Sequence, residues 1–247
     1  MSAPPQIIHL PETESTNLSL RLLANAGNLS NASIVWTDFQ TKGRGQATNS
    51  WESERGLNLL CSILFYPSRR LPASQSFALL EMAALSVKCT LDRYVPDISI
   101  KWPNDIYYQH KKISGILIEN DISENRITRS IIGIGINLNQ KEFKSDAPNP
   151  VSLAMITGCS YDLKAVLNQL HANFTRVAGE LEAGGFDSLH QQYCASLHHH
   201  VGFHACQDAE GCFKARIHAI ELSGHIILER QDGALSRYGF KEVQFEF

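Results

Sequence analysis

The stretch KWPNDIYYQHKKISGILIEN, residues 101–120, decides the fold. Ile98 to Trp102 reads as a strand that Pro103 stops, because proline has no amide hydrogen to give a ladder. Lys112 to Asn120 reads as the next strand. If 106–112 is a hairpin, Lys112 returns beside Asp105. A carboxylate and an ammonium would then share one end of a sheet, next to an aromatic wall from Trp102 and the amide of Asn104. That grouping suits charge stabilisation at a phosphate. The same residues also describe a surface hairpin with a weak ion pair, and the spacing alone does not separate the two.

Working outward to the C-terminal side, Ile127 to Asn139 is a further strand. It carries Gly133-Ile134-Gly135-Ile136-Asn137. Glycines two apart leave one face of a strand bare, which admits either a flat ligand or a closely packed helix. Residues 140–150 form a loop. In 162–182, Leu163, Val166, Leu167, Leu170, Phe174, Val177 and Leu181 make an apolar helical stripe. After about residue 198 come four short strand-like runs near 200–206, 213–221, 225–230 and 235–247, separated by turn signals. They predict a small β-barrel appended to an α+β domain, with the division at 198/199.

On the N-terminal side the pattern predicts a helix over 74–94 and strands over 57–66, 33–38 and 7–10. A helix over 16–26 opens with Ser15-Thr16-Asn17. Ser and Thr are also ordinary helix caps. Between two strands lies a long polar loop, 40–56, containing Gly43-Arg44-Gly45. Long loops inside domains tend to be functional, and an arginine between glycines can fork onto a carboxylate or phosphate. Taken alone, a bare GRG is more often an exposed turn with a solvated arginine.

The totals set the frame. A chain of 247 residues accommodates one large domain, or a medium one plus a small one. With 43% apolar and 19% charged residues it belongs to neither the disordered nor the fibrous class. A net charge of −3 gives no bias toward a polyanion. From residue 201 on, five Lys or Arg face seven Asp or Glu, so the tail has no nucleic-acid footprint. Cys61, Cys89, Cys159, Cys194, Cys206 and Cys212 are scattered and form no CxxC pair, as in a reduced cytoplasmic protein. No signal peptide is visible at the N-terminus. The apolar run Leu57 to Phe65, broken by Asn58 and Ser62, is too short for a bilayer. His198-His199-His200 lie in a strand-like run where neighbours alternate faces, so no metal ligands are assigned.

The order and spacing of these motifs carry more than any one of them. STN, then Q-x-x-GRG-x(5)-W, KWPND, KISGIL and GIGIN together resemble the biotin protein ligase family over nearly the whole chain. The tail Tyr238-Gly239-Phe240-Lys241-Glu242-Val243 resembles that family's SH3-like C-terminal domain. The resemblance implies an α+β fold with a mixed or antiparallel sheet, of the biotin/lipoate ligase, class II synthetase-like type. It implies an enzyme that uses ATP and Mg²⁺ to make biotinyl-5′-AMP. Biotin would then pass to a lysine of a biotin carboxyl carrier domain of a biotin-dependent carboxylase.

By the same resemblance, Lys112 and Arg44 supply positive charge and Asp105 orients or deprotonates the incoming amine. Ser15, Thr16, Asn17, Gln40, Gly43, Arg44, Gly45, Lys112, Gly115, Ile116, Gly133 and Gly135 fall at biotin, with Ser15, Thr16 and Gln40 at its ureido end. Trp51, Asn104 and Asn137 fall on the nucleotide side. Many members read GRGRRGR where this chain reads GRGQATN. Gln46 replaces an arginine and Thr48 a glycine, which leaves the charge to Arg44, Lys112 and Mg²⁺. With its STN motif beginning at residue 15, the chain reads as a short form without a DNA-binding domain. The resemblance leaves a homodimer open. A lipoate ligase shares the fold and the adenylation, and KWPND and the tail separate it. A non-enzymatic biotin- or carrier-binding protein is opposed by the retained Lys112 and Arg44.

Overall fold

Burial decides which strands sit in the middle. β3 (Leu59–Phe65) is buried along its whole length and pairs antiparallel with β7 (Arg126–Ile136). β7 in turn pairs with β6 (Lys111–Ser123), which continues to β5 (Asp105–Tyr108) and β4 (Ile98–Lys101). On the other side of β3 lie β2 (Ile34–Thr37) and β1 (Ile7–Leu10). Only the β1–β2 pair of this seven-stranded sheet is parallel, and α1 (Thr16–Asn25) connects its two strands. The sheet is therefore mixed, as expected. The computed structural model describes residues 3–27, 29–45, 49–68, 71–144 and 149–246.

One face of the sheet carries the main core. α2 (Phe77–Leu91) lies against it and is flanked by α4 (Leu163–Glu182) and α5 (Phe186–Ala195). Ile63, Phe65, Met82, Ile132, Leu170 and Phe174 meet there. On the opposite face α1 covers only a patch, packing Leu20 on Val35, Leu64 and Ile131. The rest of that face is where the glycines of β6 and β7 lie.

The sequence pattern does not predict α3 (Leu153–Thr157) or α5. α3 is little more than one turn, capped by Ser152 Oγ accepting from Met155 N and stopped by Gly158 at φ 76°. α5 buries only Leu189 and Tyr193, too few to make a stripe.

A second, antiparallel sheet follows: β8 (His204–Asp208), β9 (Gly211–Ile220), β10 (Ile226–Arg230), β11 (Leu235–Tyr238) and β12 (Gln244–Phe245), in the order β11-β10-β9-β8-β12. It fits an SH3-like fold. The run 235–247 thus divides into two strands. Before β8, the backbone still pairs with β4, His198 N donating to Ile100 O.

The seam between the sheets corrects one expectation. Trp102 does not wall the site. It is buried at 7% exposure, donates through Nε1 to Gly224 O at 3.0 Å, and meets Phe240 edge-on at 5.4 Å between ring centroids. Gly224 has φ 89°, and a Cβ there would lie 2.5 Å from Phe77 Cδ2, so only glycine fits.

Four imidazoles gather at the same seam: His110 from the β5–β6 turn, His198 and His199 from the linker, and His204 from β8. The His198–His199 and His199–His204 centroids are 4.0 Å apart, and His110–His198 5.3 Å. Among the described residues no group of His, Cys, Asp or Glu is disposed to hold a metal ion. Burial, followed by repulsion from its neighbours, pushes His199 down to about 3 and His198 to about 4 from an ordinary 6.5; Lys101 adds to both effects. A depressed base takes up its proton more readily in the unfolded chain, so its contribution to stability is present above pH 6.5 and is lost as pH falls toward 4. Both residues keep part of their surface in solvent, so screening keeps the effect modest. The expected result is a melting midpoint that falls between pH 7 and pH 4 more steeply in the wild type than in His199→Gln. Identical slopes in a pH series of thermal melts would remove the cluster from the acid response.

Candidate active site

A cavity of about 610 Å³ opens on the sheet face that α1 leaves bare. Leu60, Leu117, Gly115, Gly133 and Gly135 form its floor. Each glycine is required by a close approach. A Cβ at Gly133 would overlap Asn17 Oδ1; at Gly135 it would lie 2.5 Å from Trp51 Cε2, and at Gly115 2.9 Å from Trp51 Cζ3. The bare face therefore receives side chains from the first turn of α1 and from the polar loop. Trp51, assigned by resemblance to the nucleotide, lies across Gly115 and Gly135. Two polar atoms in the wall, Trp51 Nε1 and Asn137 Oδ1, are buried without a hydrogen-bond partner among the described residues. An unmet buried donor or acceptor costs about 1–3 kcal/mol, so each is suited to a ligand's polar group. The Asn137 amide nitrogen donates to Val151 O.

One end of the cavity is polar and largely uncharged. Ser15, Thr16 and Asn17 are all buried. Ser15 stands at the N-cap position, yet its side chain makes no capping bond, so the ordinary helix-cap role does not account for its hydroxyl. Gln40 Oε1 accepts from Thr16 N at 2.8 Å, and Ser62 Oγ lies 2.7 Å from Thr16 Oγ1 and 2.6 Å from Asn17 Oδ1. Asn17 Nδ2 donates to Glu119 Oε2 at 3.1 Å. The motif reading omits both Ser62 and Glu119. Ser62 has a signal, a polar residue inside an apolar strand that needs partners when buried, whereas Glu119 opens the polar end of β6 and does not stand out.

The other end is charged. Lys112 Nζ lies 2.7 Å from Asp105 Oδ1, each side chain a quarter exposed. Strand alternation alone would put Lys112 and Gly115, three residues apart, on opposite faces. The β5–β6 register shifts between Ile106 and Tyr107, so that Ile106 faces Ser114 while Tyr107 faces Lys112. This bulge holds one extra residue on β6 and brings Lys112 onto the cavity face with Gly115. Its backbone is fixed on the far side as well: Lys112 N donates to Asn149 O, and Val151 N donates to Lys112 O. Lys111 is exposed and does not line the cavity. Asn104 Nδ2 donates to Ile116 O at 2.6 Å, tying the turn to β6. The Ile116 side chain itself belongs to the main core.

The GRG segment pairs antiparallel with residues 49–51, Arg44 opposite Ser50. Gly45 N donates to Asn49 O at 2.7 Å and Trp51 N to Gly43 O at 3.0 Å. Gly43 is not part of the cavity wall; it is glycine because Trp51 O would lie 2.6 Å from a Cβ there. Gly45 and Arg44 do line the cavity. Gln46 and Thr48 lie outside the described residues. The Arg44 guanidinium pairs with Glu119 at 3.1 Å. Lys112 Nζ stands beside Gly115, and Glu119 is four residues further along β6, about 13 Å at the usual strand rise. The two cations do not converge on one phosphate in this arrangement.

The donor set fits Mg²⁺ carried on nucleotide phosphates better than in a protein cage. Two carboxylates line the cavity, Asp105, already paired with Lys112, and Glu52, which accepts from Lys144 N.

The family described as biotin/lipoate A/B protein ligase matches residues 10–137. The bifunctional ligase/repressor BirA of Bacillus spizizenii is 29% identical over 94% of this chain and 72% of its own length. The biotin--[acetyl-CoA-carboxylase] ligase of Paracoccus denitrificans is 31% identical over 75% of this chain and 78% of its own. The solved structure of biotin protein ligase from Aquifex aeolicus in complex with biotin and ATP matches with a TM-score of 0.77 at 27% identity, over 98% of each chain. The motifs, the two-sheet fold and the glycine-floored cavity agree with these likenesses, and the chain belongs to the biotin/lipoate A/B protein ligase family.

Proposed function

We propose that the chain is an ATP-dependent biotin protein ligase, which makes biotinyl-5′-AMP and passes biotin to a lysine of a carrier domain. The carrying observation is the polarity of the cavity. A neutral hydrogen-bonding end at Ser15, Thr16, Asn17, Gln40 and Ser62 suits a ureido ring. A glycine floor suits a flat ring and its chain. The Lys112–Asp105 end suits a carboxylate meeting a phosphate.

In the first step a biotin carboxylate oxygen bonds to the α-phosphorus and the bond to the β-phosphate oxygen breaks, releasing pyrophosphate. Two anions approach, and the ammonium of Lys112, fixed by its backbone on both sides, offsets their charge. Mg²⁺, if carried in on ATP, would supply charge neutralisation at the phosphates. Trp51 and Asn137 offer the nucleotide an indole face and an amide acceptor, the latter matched to an exocyclic amino group. In the second step the carrier lysine nitrogen bonds to the anhydride carbonyl, the carbonyl–oxygen bond to AMP breaks, and Asp105 takes the proton.

The carrier would be a biotin carboxyl carrier domain of a biotin-dependent carboxylase, and the location cytoplasmic. No helix among the described residues is long and apolar enough to cross a membrane. We take 1–198 as the catalytic unit and 199–247 as the SH3-like one. The test is pyrophosphate release on mixing the protein with ATP and biotin, run beside ATP and lipoate. Release with biotin alone is expected; release driven by lipoate, or none with either, overturns the reading.

A further inference from the structure

We infer that Gln140 is a positioning residue: it clamps the segment that follows Trp51 to the segment that follows Asn137, and so sets the spacing of the two walls of the nucleotide side. The kinetic half of this inference rests on the proposed ATP-dependent function.

Trp51 and Asn137 carry the two polar atoms of the cavity wall that are buried without a hydrogen-bond partner among the described residues. One stands in the polar loop and the other just after β7, so their spacing is set by contacts between the segments that follow them. Gln140 makes that contact, and it is fully buried. Its Oε1 accepts from Asn58 Nδ2 at 2.6 Å and from Glu54 N at 3.0 Å, and its Nε2 donates to Glu142 O at 2.8 Å. Backbone groups at both ends fix which way the amide points, since an N–H only donates and a C=O only accepts. Asn58, also fully buried, is fixed in the same way, its Oδ1 accepting from Leu138 N at 3.0 Å. Asn139 N donating to Leu57 O and Lys144 N donating to Glu52 Oε1 stitch the same two segments on either side. Glu52 and Phe143, one from each segment, line the cavity. A buried amide bonded through both its donor and its acceptor specifies one arrangement of the chains it joins.

Gln140→Met roughly keeps the volume and removes all of these side-chain bonds. Asn58 Nδ2 retains Ser53 Oγ at 3.2 Å as a partner, so the fold should persist, checked by thermal unfolding. Amide exchange at Glu54 should quicken about tenfold, the scale of one lost neutral hydrogen bond. In ligand-free protein labelled with 5-fluorotryptophan, the Trp51 fluorine resonance should move while those of Trp36 and Trp102 stay. The KM for ATP should rise about tenfold and that for biotin less than about threefold. Gln140→Glu keeps the acceptor and loses the donor, so it should lie between the wild type and Gln140→Met in every reading, and it carries the test by itself if Gln140→Met does not fold. An unchanged Glu54 amide or an unmoved Trp51 resonance overturns the clamp. A KM for biotin that rises as far as the KM for ATP makes the effect general and overturns the assignment to the nucleotide side. If the wild type releases no pyrophosphate, the functional reading fails, and the exchange and the resonance still decide the clamp.

Discussion

Lys112→Ala should lose adenylate formation by about 10²–10³-fold, or roughly 3–4 kcal/mol of barrier, the usual cost of one preorganised charge-stabilising contact. The protein should still fold. The Lys112–Asp105 pair is a quarter exposed on each side, and partly solvated pairs contribute about 0–1 kcal/mol. The loss is thus concentrated in the step where two anions meet. Lys112→Arg should recover only part of the rate, since a planar fork does not replace a compact ammonium held beside Gly115. Lys111→Ala is the control, being exposed and outside the cavity wall. Single-turnover adenylate formation with thermal unfolding of all three variants checks this. A crippled Lys111→Ala beside an active Lys112→Ala would put the hairpin register off by one, and unchanged rates in both would remove the lysine from catalysis.

The second large effect is on stability. Trp102→Ala should cost about 3–5 kcal/mol, the range for deleting a buried aromatic side chain, and so lower the melting midpoint by about 10 °C for a chain of this size. The indole is 7% exposed, packs on Phe240 and donates to Gly224 O. Its removal leaves a hole and an unpaired carbonyl at the seam. Trp102→Phe should keep most of the packing, lose the hydrogen bond and fall in between. Amide exchange in β10 and β11 should rise with the loss, because these strands lie beyond the seam. A Trp102→Ala protein that melts within 1 °C of the wild type would show that the second sheet holds its place without this anchor.

The sequence made the strands and the charged pair legible where local rules suffice. Pro103 ends a strand wherever it stands, and the distance from Asp105 to Lys112 closes a hairpin. Glycines at 133 and 135 must share a face. What it hid depends on contacts between distant segments. Nothing local says that Trp102 turns toward Gly224 while its neighbours Asn104 and Asp105 turn toward the cavity. The partner of Arg44 was equally hidden, since a loop arginine's direction is set by the carboxylate it meets, here one presented by β6. Ser62 was readable as an oddity, a polar residue in an apolar strand, and Glu119 was not, standing at the polar end of β6; the roles of both needed α1 laid across the sheet. The short helix α3 and the sparsely buried α5 fall below what periodicity detects.

The bulge between β5 and β6 carries a consequence for how the hairpin tolerates change. Faces of a strand follow the parity of residue number, and Lys112 and Gly115 differ by an odd step yet share a face. Deleting or adding one residue between them would make the step even. A straight ladder would then suffice to keep both on the cavity side. The bulge would become a defect, and either the lysine or everything beyond the glycine would be displaced by about one residue rise, 3.3 Å. A single-residue indel here should therefore move the ammonium along the cavity rather than flip it to the far side of the sheet. An indel three residues further on would reverse Leu117 and Glu119 against β7 and destroy the floor.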